Sequence, residues 1–268
     1  QSLEATGFVR NRRALTMVAV MVRWIYRHCD LLLVQSRAFI PAVKSMAGKT
    51  PVEYHPNPGD LASSQTQTQG SPALVLGPGF NIVFAGNLGT VQALDTVLEA
   101  AELLLPRSDV RLVLVGSGSR SEWLQQEVVR RRLGNVQLAG RFAPQAMPGI
   151  LAQASALLVS LARSPILSQT IPSKIQAYLA AGKPIIASMD GEGAAVLEES
   201  GAGVTCPAED AVALTRAVLR LRAMPSGELQ RMGEAGLIYY RQHFDPVVLA
   251  TKLMGHFSRI AGCADARK

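Results

Sequence analysis

Cysteine and histidine are scarce in this chain of 268 residues: Cys29, Cys206 and Cys263, with His28, His55, His243 and His256, show no ligand-like spacing. That excludes a disulfide framework and a zinc site, and it fits a reducing cytoplasm. Charged residues make up only 18% and aromatics 5%, against 48% hydrophobic residues, so the chain can bury an aliphatic core and is not disordered throughout. No Ser-His-Asp set, HExxH motif or Walker lysine is present, and the acidic pairs Glu198-Glu199 and Glu209-Asp210 fall at expected helix ends. The sequence therefore offers no self-contained nucleophile and no metal site. Long apolar runs are also missing. The longest candidate near the front, residues 14–22, stops at Arg23, far short of the roughly 20 apolar residues that cross a bilayer. Nothing repeats at solenoid periods.

What is present is a basic front. The formal charge is +7, and residues 1–55 carry eight Lys or Arg against three acids. Arg10, Arg12, Arg13, Arg23 and Arg27 surround the apolar stretch, which is the pattern of an amphipathic helix, either packed on the protein or seeking an anionic surface. The chain opens at Gln1 without an initiator Met, as a fragment would. No nucleic-acid partner is expected.

From residue 81 onward short β-branched or aliphatic runs alternate with longer segments of helical period. Strands are expected at 81–85, 110–115, 136–139, 156–160, 184–188 and 203–206, and helices at 91–105, 121–133, 144–153, 173–181, 192–200 and 210–222. Strands without polar alternation are buried on both faces, and right-handed crossovers wind them into a parallel sheet. Upstream, strands at 31–35 and 52–55 with a helix at 39–47 form a piece of a second unit. Between the two units, residues 56–79 are rich in Ser, Gln, Thr, Pro and Gly and lack Lys and Arg, which reads as an exposed linker. Two further helices, at 227–244 and 246–260, meet at Asp245-Pro246. The expected organisation is thus 1–55, 56–79, 80–244 and 245–268.

In open parallel sheets ligands bind beyond the carboxyl ends of the strands. Four turns there look alike: Gly86-Asn87-Leu88-Gly89, Gly116-Ser117-Gly118-Ser119, Pro172-Ser173-Lys174 and Asp190-Gly191-Glu192-Gly193. Glycine lets backbone approach an anion closely, and a helix N-terminus supplies partial positive charge. One such turn is ordinarily just a turn; several in one crevice would form a pyrophosphate cradle. Ser173 is expected to cap the helix that follows Pro172. Lys174 opposes the helix dipole at that end, and a phosphate contact would account for it. Arg141 and Arg163, each just past a strand, are equally explained as phosphate contacts or as surface charges.

The motifs Phe84-Ala85-Gly86-Asn87-Leu88-Gly89, Ile171-Pro172-Ser173-Lys174 and Tyr178-Leu179-Ala180-Ala181-Gly182-Lys183-Pro184-Ile185-Ile186 together resemble the family 4 glycosyltransferases, and most of all their bacterial surface-polysaccharide branch. The likeness covers residues 80–260. Trp24 to Ser36 and Pro56-Asn57-Pro58 look like the end of that family's first domain. The resemblance implies an α/β fold of GT-B type: Rossmann-like parallel sheets flanked by helices, with 80–244 binding the nucleotide-sugar, most of the acceptor-binding domain missing, and 245–268 crossing back toward it. It further implies a retaining transferase without metal or resident cofactor, moving sugar from a UDP- or GDP-linked donor to a glycan or lipid-linked acceptor. Such an enzyme would be cytoplasmic and peripheral on the inner face of the plasma membrane. Carried over by position, Gly86, Asn87, Gly89, Gly116, Ser173 and Lys174 would hold the diphosphate, and Arg141 and Phe142 would lie beside the base.

Two departures stand out. The family's two glutamates fall at Gln169 and Ala177, and its usual basic pair falls at Asn87 and Gln92. Losing a charged hydrogen bond costs about 1.5–3 kcal/mol, so donor affinity should suffer unless Lys174 or Arg163 compensates. The fragment alone would then bind better than it catalyses. A noncatalytic nucleotide-binding or scaffold relative and a sugar-nucleotide epimerase of the same fold remain rival readings. A dehydrogenase fits least, because Gly116-Ser117-Gly118 lacks the acidic residue that fingerprint needs downstream.

Overall fold

A computed structural model describes residues 12–59 and 74–265. Arg10 and the Ser- and Gln-rich stretch 63–71 lie outside them. Two parallel sheets result. The smaller pairs β1 (Leu32–Val34) with β2 (Val52–Tyr54), joined through a 3-10 turn and α2 (Ile40–Ala47), with α1 (Arg12–Arg27) laid along α2. The larger sheet contains β3 (Phe80–Ala85), β4 (Val110–Val115), β5 (Val136–Gly140), β6 (Ala156–Ser160), β7 (Ile185–Ser188) and β8 (Gly203–Cys206), in the spatial order β5-β4-β3-β6-β7-β8. Every pairing in it is parallel.

β3, β6 and β7 are buried at every position, which explains their mostly apolar sequence, with Asn81, Ser160 and Ser188 the buried polar exceptions. Alternate side chains feed opposite faces. Ile82, Phe84, Leu112, Leu114 and Leu158 join one core, while Val83, Ala85, Val113, Val115, Leu157 and Val159 join the other. Helices cover both faces: α3 (Leu94–Leu103), α4 (Ser121–Arg130), α5 (Met147–Ala152), α6 (Ser173–Ala180), α7 (Glu192–Ser200) and α8 (Ala211–Ala223), followed by α9 (Ser226–His243) and α10 (Pro246–Asp265).

The strands match their expected positions to within a residue, but several helix ends do not. In place of a helix from residue 91, a 3-10 turn at Thr90–Gln92 precedes α3. Ala93 between them takes a left-handed φ of 45°, which interrupts the helical run and leaves Gln92 buried. α4 stops at Arg130 because Arg132, with φ 55°, turns the chain toward β5. The expected helix at 144–153 is a 3-10 turn followed by the short α5.

α1 divides its surface between the two readings of it. Tyr26 packs on a small core with Phe39, Ile40 and Val43, whereas Met17 and Trp24 remain 74% and 62% exposed. Among the described residues no helix is long and apolar enough to cross a membrane. The described ends of segment 56–79 are held in place. Leu74 and Leu76 pack against the second core, and Gln153 bonds the Leu76 amide at 3.1 Å and the Leu74 carbonyl at 2.9 Å.

Counted from its own first strand, the large sheet runs 3-2-1-4-5-6, so strand order reverses between β3 and β6. Beyond the carboxyl ends of that pair an open α/β sheet leaves a crevice for ligands.

Candidate functional site

That crevice is a cleft of about 900 Å³. Its walls include Gly86 and Asn87 after β3, Gly116 and Ser117 after β4, Arg141 and Phe142 after β5, and Ser173, Lys174, Gln176 and Ala177 on α6; Pro58, Gly59 and Pro246 close one side. Seven of the ten residues expected from sequence therefore meet in one place.

Lys174 spans the reversal point, standing on the helix after β6 and reaching over to β3. A Cβ built on Gly86 would lie 2.7 Å from Lys174 Cε, so the lysine stem fills the space that the glycine leaves. Its ammonium sits 3.6 Å from the centroid of the Phe84 ring and donates to Gln92 Oε1 at 2.6 Å. Burial alone, with no carboxylate to offset it, pushes its pKa down to about 7. The helix is pinned by Tyr178, whose buried hydroxyl accepts from the Ala85 amide at 2.8 Å and donates to the Ala85 carbonyl at 3.2 Å. Gln176 Nε2 donates to the Asn57 carbonyl at 2.9 Å, joining α6 to the chain leaving β2.

The glycines serve chiefly to let loops interlock. Gly86 and Gly116 have φ of 135° and 139°, and a Cβ at Gly116 would run into the Gly86 carbonyl. Their amides are already used: Gly86 N–H donates to Val115 O at 2.8 Å and Gly116 N–H to Gly140 O at 2.7 Å. Leu88 N–H and Gly118 N–H are likewise bonded, to Ser117 O and Ser121 Oγ. The cradle of glycine amides expected from sequence is thus corrected. Among the cleft residues, the amides of Asn87, Ser117, Ser173 and Lys174 have no hydrogen-bond partner among the described residues.

Three expected residues lie elsewhere. Gly89 sits buried behind the loop, ahead of the 3-10 turn. Arg163 turns away to the Ala208 carbonyl at 2.8 Å and to Asp190 at 3.6 Å, so it does not compensate for a missing basic pair. Gln169 ends a 3-10 turn outside the cleft walls. The fourth turn is also spent structurally: Gly191 packs on the Ser168 carbonyl, and Asp190 accepts from the Ala208 amide. Ser173 is the first helical residue and not the cap, because Pro172, with ψ 138°, takes the extended cap conformation. Gln92 was marked in the sequence only as a lost basic residue; nothing in the chain order shows that it accepts from Lys174.

Strand order and the switch-point cleft define a Rossmann-like α/β domain with Lys174 at its carboxyl edge. The family described as "Glycosyl transferases group 1" matches residues 79–223, over half of the chain, and the chain belongs to that family. The probable glycosyltransferase WbjE of Pseudomonas aeruginosa is 28% identical over 137 residues, which are 50% of this chain and 34% of the relative; the matched stretch spans about a third of that protein. HepE of Anabaena, solved in complex with UDP and glucose, superposes with a TM-score of 0.72 at 17% identity, covering 91% of this chain and 67% of that chain. An α,α-trehalose-phosphate synthase (UDP-forming) from Burkholderia vietnamiensis does so at 0.70 and 17% identity, covering 87% and 60%. These similarities establish a shared GT-B type fold.

Proposed function

We propose that the protein is a retaining glycosyltransferase that moves a sugar from a nucleotide diphosphate donor to a glycan or lipid-linked acceptor. The observation that carries this reading is Lys174, set against Gly86 where strand order reverses and surrounded by unpartnered amides. Stabilising a departing nucleotide diphosphate is an electrostatic task, and it needs donors fixed in advance in a partly dry cleft. Phe142 offers a ring for the base, and Arg141 beside it offers a second cation. UDP is favoured over GDP because HepE was solved with UDP and the trehalose-phosphate synthase is UDP-forming. Retention and the acceptor class follow from the resemblance to the family 4 transferases. A lipid-linked acceptor also suits α1, which presents Met17 and Trp24 beside Arg23 and Arg27.

Calorimetric titration with UDP, GDP and their sugars tests the donor reading. Micromolar to millimolar binding that Lys174→Met abolishes is expected, and no binding to any of them would overturn it. One observation favours a second reading, a binding module without turnover: Ala177 lines the cleft where the family places a glutamate.

A further inference from the structure

A second cavity, of about 540 Å³, opens at the carboxyl ends of β1 and β2 against α9 and α10. It is separate from the donor cleft, although the same segment contributes Pro56 to one and Pro58 and Gly59 to the other. Basic side chains from several elements line it. Arg37 comes from the turn after β1, His55 from the end of β2, His243 from α9, and Lys252, His256 and Arg259 from α10.

The acids nearby are committed. Glu53 is shared between Arg259 at 2.7 Å and His256 at 3.6 Å, and Glu199 on α7 pairs with Arg37 at 2.9 Å. Glu192, also on α7, accepts from the Arg37 backbone amide. Tyr54 and Tyr239, both raised by burial, stay neutral. Lys252 makes no ion pair among the described residues. We propose that this cavity is an anion site, taking the phosphoryl group of a phosphate ester or of a lipid-linked phosphate between Lys252, Arg259 and the histidines.

The histidines make the site responsive to pH. Burial and the neighbouring Lys252 hold both His55 and His243 below the usual imidazole range; His256 adds to the effect on His55, while on His243 Glu199 opposes it and Arg37 adds to it. A bound anion reverses that crowding, so occupancy favours the protonated rings. Arg259 donates to His256 Nδ1 at 2.8 Å, and an anion accepting from Arg259 would release that nitrogen.

The test follows the histidine ring resonances of the full chain by NMR during titration with inorganic phosphate. Expected are saturable shifts at His55 and His243, and binding weakened roughly fivefold by Lys252→Gln. Lys252 is exposed, so that variant leaves the fold intact. Lys174→Met, which strikes the donor cleft, should leave the shifts unchanged, and this separates failure here from failure of the donor reading. Absence of saturable shifts, or shifts that Lys174→Met abolishes and Lys252→Gln spares, would overturn the proposal. A hexose phosphate and a short-chain prenyl phosphate then identify the source: tighter binding of either than of inorganic phosphate names it, and equal binding marks the bare phosphoryl group as what is held.

Discussion

Raising the pH from about 6 to about 8 during titration with a nucleotide sugar should weaken binding about tenfold, or ~1.4 kcal/mol. The reasoning starts at Lys174. Free in its cleft, the ammonium faces the Phe84 ring and the neutral Gln92 amide, and burial brings its pKa down to about 7. About nine-tenths of the lysine is then charged at pH 6 and about one-tenth at pH 8. The esterified diphosphate of a nucleotide sugar does not titrate in this range, so the pH dependence reports the protein. Contact with a diphosphate restores the ammonium toward its ordinary range, and binding at pH 8 must therefore take up nearly one proton. Calorimetry in buffers of different ionisation enthalpy measures that uptake as the slope of observed enthalpy. Lys174→Arg, charged at every pH, should flatten the profile where it binds at all. A nucleotide sugar that binds with no proton uptake and with one affinity across this window would refute the placement of Lys174 on the diphosphate.

Gly116→Ala should destabilise the chain by about 1–3 kcal/mol in chemical denaturation, since φ is 139° there and the added carbon meets the Gly86 carbonyl. Tyr178→Phe keeps the ring but strands the Ala85 amide; a loss of about 1–3 kcal/mol is expected, together with weaker donor binding as α6 loosens, both readable in one thermal-shift series. Ala177→Glu should raise donor affinity or turnover about tenfold if the protein is a transferase lacking that carboxylate, worth roughly 1.5–3 kcal/mol, and a pure binding module would gain no turnover.

Much of the fold was legible in the sequence because the strands of the large sheet are buried on both faces. Residues 80–85 and 156–160 carry only Asn81 and Ser160 as polar positions, too few to imitate the alternation of a surface strand, and their burial is complete. Strand ends then placed Gly86, Gly116 and Arg141 at one edge without any knowledge of packing. Direction was not legible. Arg163 lies three residues past β6 and Arg141 directly past β5, both in loops at the carboxyl edge, yet Asp190 and the Ala208 carbonyl, both far along the chain, draw Arg163 away. The role of glycine was half legible: close approach of the backbone was a fair expectation, but which amides remain free depends on the loops after β3 and β4 exchanging hydrogen bonds. Gln92 depended on Ala93 turning left-handed, a conformation that no alanine advertises.

The departures from the family pattern then fit together. Asn87 and Gln92 stand where the family resemblance places a basic pair, and under the proposed function Lys174 supplies a cation from the opposite side. Under the proposed function an ammonium on α6 crosses the switch point to reach a diphosphate near β3, and the missing Cβ of Gly86 leaves room for its stem. Its stem then occupies the room a side chain at 86 would need, and Gln92 supplies the acceptor that steadies its tip at 2.6 Å. Gln92 is therefore a partner of the cation and not a vacant basic position. A carboxylate in its place would fix the ammonium in a buried pair and compete with the diphosphate for it, whereas a neutral amide holds it loosely enough to be given up when an anion arrives.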